Sequence, residues 1–220
     1  MWLQALLVAH VVVLGYWLGS ELVINSTFRY VSHAGSMPFG ERQRLLDHVM
    51  HVDQHVRYAL VLQAGLGTAL CAILGYIPGG SALAWAAGIA CLLWLGYVEA
   101  VHRLRHGAIG PALARIDRGS RYALLVLLLA IAFGLLGGDW PMPAWLRIKL
   151  ALFAGVIASG VGIRLALASY FRTWAGMARN GADDASNAVI RRTYRNATAV
   201  LVLLWVFIAA IVVVTLWKPA

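Results

Sequence analysis

Polar residues in this chain come in blocks, and the blocks separate six long apolar runs. The runs cover residues 2–25, 56–77, 82–101, 121–137, 145–166 and 197–217. Each is close to the ~20 apolar residues that cross a bilayer as one helix, and the fourth is the shortest. The predicted fold is therefore all-α: a polytopic bundle of six transmembrane helices, forming one domain over residues 1–220. Two connectors, IPGGS (77–81) and GGDWPMP (137–143), are short, rich in Gly and Pro, and free of Lys and Arg. The other three, 26–56, 102–120 and 167–196, are longer and carry most of the arginines. Cytoplasmic loops concentrate Lys and Arg, so these three connectors are expected inside and both termini on the non-cytoplasmic side. Trp2, Trp140, Trp145 and Trp217 then fall at the outer interface, where indole rings prefer to sit. The stretch 41–60, with Leu45, Val49, Val52 and Val56 at helical spacing, reads as a cytoplasmic extension of helix 2. Residues 167–196, with Gly176, Gly181 and Asp183-Asp184 among them, are expected to form broken or surface-lying helix.

Composition sharpens the class. Of 220 residues, 61% are hydrophobic and 12% charged, against about a quarter charged in soluble domains. The predicted partner is a lipid bilayer, of the bacterial inner-membrane type. The net charge of +9 is accounted for by arginine-rich inner loops, and no zinc-finger or RNA-binding signature accompanies it; nucleic acid is not an expected partner. Cys71 and Cys91 each lie in an apolar run and read as small buried side chains. The N-terminus lacks a positive n-region and reads as a retained first span.

Four charges lie inside the predicted spans. By a rise of about 1.5 Å per residue, Glu21, Arg57, Glu99 and Arg164 each sit on the order of 12 Å from mid-span toward the cytoplasm. An ionised group at the centre of a membrane helix costs about 2.5–3.5 kcal/mol, so pairing is expected, first between Glu21 and Arg57 on consecutive helices. Snorkelling to the inner interface is the alternative, more accessible to the arginines than to the short glutamates. WLGSE (17–21) and WLGYVE (94–99) form a weak internal echo. Gly15 and Gly19 make a small-residue step on helix 1, and Gly65 and Gly67 lie near the middle of helix 2. Such steps admit a second helix or a flat cofactor.

His10 is the one histidine in mid-span. It shares a helical stripe with Leu14, Trp17, Glu21 and Asn25, which should face the bundle. A buried imidazole needs a hydrogen-bond partner or a metal. His48, His51 and His55 share one face of the helix 2 extension, and Glu99, His102 and His106 repeat those offsets on helix 3. Two histidine faces are expected to confront each other near Arg57, as candidate metal ligands or as solvated helix ends. There is no CxxCH for covalent haem, no Walker motif, no nucleophile elbow and no HExxH.

AHVVVLGYWLGSEL (9–22), VRYALVLQAGLGTALCAILGY (56–76) and WLRIKLALFAGVIASGVGIR (145–164) carry a resemblance. They resemble helix 1, the Arg-containing second helix and a later W-x-x-x-K helix of the CopD/HemJ-like membrane proteins, over about half the chain. That group includes a copper-uptake protein and a haem-containing protoporphyrinogen oxidase, and the resemblance implies a ligand role for His10. Helix 3 carries Trp94, Gly96, Tyr97 and Glu99 with no lysine, and the five methionines are scattered, so neither activity is carried over. Three functions remain open. The first is a b-type haem protein in electron transfer or membrane oxidoreduction, using His10, His55, Arg57, Gly15, Gly19 and Gly65, with a redox partner. The second is transport of copper, another cation or protons through the charge layer, with His10, His48, His51, His55, His102 and His106 as metal ligands. The third is a structural subunit of a larger membrane complex. His10 and His55 lie nearly ~20 Å apart in depth, too far for one iron.

Overall fold

The computed structural model describes residues 1–105 and 107–219; His106, one of the predicted metal ligands, lies outside the described residues. Six helices follow one another: α1 (Trp2–His33), α2 (Phe39–Ile73), α3 (Gly80–Arg103), α4 (Gly110–Ala132), α5 (Ala144–Asn180) and α6 (Asp184–Trp217). No strand occurs among the described residues. Five helices, all but α4, are long and apolar enough to cross a membrane. The fourth apolar run was placed at 121–137, whereas α4 starts at Gly110 and ends at Ala132. Its first half holds Arg115, Asp117, Arg118 and Arg121, and the turn with left-handed Gly134 and Gly137 removes the last residues of the expected run.

The turns follow from local chemistry. Gly75 and Gly79 take positive φ between α2 and α3, a conformation that costs other residues. Arg147, one turn into α5, donates to the carbonyls of Ile131 at 2.8 Å and Gly137 at 3.0 Å, tying the end of α4 and the turn after it to α5. Between α5 and α6, Gly181 breaks the helix at φ 88°, and the Asp183 carboxylate accepts from Ser186 N–H at 2.7 Å as an N-cap. That bond holds the Asp183 carboxyl below its ordinary range. The break expected within 167–196 is thus confined to residues 181–183. The flanking segments are packed helix, with Tyr170, Trp174, Met177, Ile190 and Tyr194 all buried.

The helices are unequal in role. α1, α2, α5 and α6 form a central four-helix bundle, in which Trp17, Ala59, Val156, Leu204 and Ile208 meet. α3 packs on α2, α4 packs on α5 through Leu128, Ala154 and Ile157, and α3 and α4 touch each other only sparsely. The outer surface is apolar: Val8, Val11, Val12, Ile89, Leu92 and Leu93 are all exposed, as a lipid-facing wall requires. α5, at 37 residues, is about 55 Å long, far more than the ~30 Å hydrocarbon layer. The excess builds a second core beyond the apolar belt, from Phe28, Val31, Leu46, Val49, Tyr170, Trp174, Met177, Ile190 and Tyr194. Arg42 sits fully buried within it. Its Nε donates to Val31 O at 3.2 Å, its Nη1 to Asn187 Oδ1 at 3.0 Å, and its guanidinium lies 5.0 Å over the Trp174 ring. One cation thereby ties together the ends of α1, α2, α5 and α6.

Candidate functional site

Polar side chains within the bundle fall into three groups. The first is a track down the α1–α2–α5 interface. His10 faces α2 at Gly67, where a Cβ would stand in ordinary contact, 3.5 Å from His10 Cε1. His10 Nδ1 is buried without a hydrogen-bond partner among the described residues. Lys149, near the start of α5, is half-buried. One turn along α2 from Gly67, Gln63 also carries a buried, unpartnered oxygen. Below it, Trp17 packs beside Ala59 and donates through Nε1 to Glu21 Oε1 at 3.3 Å. Glu21 is 8% exposed. Asp53 pairs with Arg164 at 3.7 Å where both are half exposed. The predicted stripe is recovered: His10, Trp17, Glu21 and Asn25 face inward, Asn25 accepting from Tyr194 at 3.2 Å.

The second group is an ion triad between α2 and α4. Asp117 accepts from Arg57 Nη2 at 2.5 Å and from Arg121 Nη2 at 2.9 Å, with all three side chains mostly buried. The expected Glu21–Arg57 pair is therefore not formed. Arg57 points around α2 toward α4, whereas Glu21 faces the four-helix core. Glu99, assigned to the same layer, instead meets Tyr58 and Arg103, its i+4 neighbour, at 2.5 Å. Arg164 is drawn off by Asp53. The four predicted layer charges thus enter three separate clusters.

The third group lines the same end of α1, α2 and α3. Tyr16 hydrogen-bonds His55 Nδ1, and the His55 ring packs edge-on against Tyr58, whose hydroxyl donates to Glu99. His51 and His102 confront each other across α2 and α3 with ring centroids 5.9 Å apart, as the two histidine faces implied. His48 is exposed on the neighbouring turn. Among the described residues, no three His, Cys, Asp or Glu side chains gather as a metal ion would need. The glycine step of helix 1 has no neighbour: a Cβ on Gly15 or Gly19 would meet nothing within 4 Å, so neither seats a helix. Gly65 does, since a Cβ there would come within 2.7 Å of Cys91.

Sequence reasoning missed Asp117, Asp53 and Gln63, and met Lys149 only as the lysine of the W-x-x-x-K motif. Lys149 had a signal, as a lone lysine inside an apolar run. Asp117 did not, because Arg115, Arg118 and Arg121 around it read as loop charge. No family model, curated protein or solved structure matches the chain.

Proposed function

We propose that this chain is a multi-pass protein of a bacterial-type cytoplasmic membrane that moves protons along the α1–α2–α5 interface. Its termini lie outside, its arginine-rich connectors inside, and α4 makes the sixth crossing with the ion triad buried against α2. The observation that carries this reading is the buried, unpartnered Nδ1 of His10, on the same inward stripe of α1 as the buried Glu21. Ionisable groups inside membrane helices are costly and mark ion pathways. His10 and Lys149 offer exchangeable protons toward the outer end, and Glu21 and Asp53 offer them toward the arginine-rich end. Gln63, with its buried and unpartnered amide oxygen, lies on α2 between Ala59 and Gly67. A proton needs only such a chain of donors and acceptors. The resemblance to the CopD/HemJ-like group, one branch of which takes up copper, agrees with a cation path.

The test is proton flux into liposomes holding the purified chain, read by an entrapped pH dye under an imposed potential. His10→Ala and Glu21→Gln should each abolish most of the flux, while His48→Ala, on the exposed turn, should not. Equal flux in all three and in empty liposomes would end the proposal.

A second reading has its own support. The free His10 nitrogen suits an axial ligand of a b-type haem, and a haem bound there would supply one-electron chemistry. The cations that would meet its propionates fit less well, because Arg57 and Arg121 line the α3–α4 side of α2, whereas His10 lies against Gly67 on another face of that helix. An optical spectrum of the purified protein, with iron and copper content, separates the two readings: a Soret band lost in His10→Ala favours haem.

A further inference from the structure

The sparse contact between α3 and α4 leaves a cleft of about 290 Å³ against α2. Leu60, Val61, Ala64, Ala90, Trp94 and Leu124 give it apolar walls. At one end lie Arg57, Asp117 and Arg121, two guanidiniums against one carboxylate. The triad therefore keeps a surplus positive charge, at the end of the molecule where the start of α4 adds Arg115 and Arg118. The neighbouring α3 face, with Ile89, Leu92 and Leu93 exposed, belongs to the lipid-facing wall. An apolar slot beside that wall, with a cationic end, matches an amphiphile with an anionic head.

We propose that this cleft is a binding site for an anionic phospholipid of the arginine-side leaflet, with one acyl chain between α3 and α4 and the phosphate against Arg121 and Arg57. Three considerations select a phospholipid. The cleft, at the small end of the ~300–1,000 Å³ typical of ligand sites, takes a single chain more readily than a bulky ring system. Guanidinium forks match the oxygen geometry of a phosphate. Basic pockets between membrane helices on the positive side recognise anionic head groups, and the outlying arginines add attraction within a Debye length. A bound chain would also complete the packing that α3 and α4 do not give each other.

The experiment is native mass spectrometry of the full chain released from detergent, after mixing with a phosphatidylglycerol, a phosphatidylcholine of the same chains, or oleate. Retention of the phosphatidylglycerol over the phosphatidylcholine is expected. Arg121→Gln should weaken it about tenfold, the weight of one charge-assisted hydrogen bond. Ala90→Leu, which fills the slot and leaves the charges in place, should weaken it as well. Arg195→Gln, an exposed arginine on α6, should not. Size-exclusion chromatography and helix content establish folding; if Arg121→Gln fails there, Ala90→Leu alone decides. Equal retention of both phospholipids, unchanged retention in the decisive variants, or oleate held in place of the phosphatidylglycerol would overturn the proposal. None of these outcomes depends on whether protons move along the opposite face of α2.

Discussion

Replacing Asp117 with asparagine keeps the side-chain size and removes one charge. Asp117 is the anion for both Arg57 and Arg121, and its side chain is 9% exposed, against 14% and 17% for its partners. Removing one member of a buried ion cluster costs about 3–5 kcal/mol, because the remaining charge is left without compensation. Here two guanidiniums are stranded, but both keep a little access, so the low end, about 3 kcal/mol, is expected. The backbone position is unchanged and the amide oxygen can still accept one hydrogen bond, which argues against a larger loss. Reversible unfolding in mixed detergent micelles measures it. The cycle with Arg121→Gln adds a sharper test: once one arginine is removed, Asp117→Asn should cost appreciably less, with a coupling of about 1–2 kcal/mol. A single-variant loss below about 0.5 kcal/mol, or strict additivity, would show that the arginines are hydrated and that the triad is not a buried unit.

Other outcomes follow from named contacts. Arg42→Met should destabilise the inner four-helix core by about 2–4 kcal/mol, by losing two hydrogen bonds from a charged donor and the stacking on Trp174 while removing a buried charge, read by the same unfolding measurement. Gly65→Ala should cost about 1–3 kcal/mol, since its Cβ would overlap Cys91, whereas Gly15→Ala and Gly19→Ala should be neutral or slightly stabilising. Asp183 has a depressed carboxyl pKa, so its cap contributes above the unfolded value and is lost as pH falls through the folded one. Amide exchange at Ser186 and Asn187 should therefore accelerate on acidification below about pH 4, and Asp183→Ala should show the fast exchange already at neutral pH.

The sequence could be read for depth but not for azimuth. Apolar runs and Gly/Pro turns located the helices, because length and hydropathy are properties of one segment. The placement of Glu21 and Arg57 at one level also came from one-dimensional counting. Which way Arg57 points depends on where α4 packs, and α4 lies two connections further along the chain than α2. Asp117 was hidden for the same reason: among three arginines it looks like a solvated loop charge, and only the contact with α2 turns it into a buried anion. His10 was legible, since a lone imidazole in an apolar stripe must face inward. The glycine step on helix 1 misled because small size permits close approach without requiring it. Arg42 was missed since an arginine near a helix start ordinarily points to water, and its burial depends on Asn187, 145 residues later.

The central bundle draws on both ends of the chain, and this sets a timetable for its making. Trp17 and Ala59 emerge well before Leu204 and Ile208, against which they close. Roughly 110 residues separate the end of α2 from the start of α6, which at about 5–20 residues per second is roughly 5–20 s of translation. During that interval Glu21 and Arg42 have no finished interior to enter, so the nascent first hairpin depends on the insertion machinery, or on lipid head groups, to shelter them until the closing helix arrives.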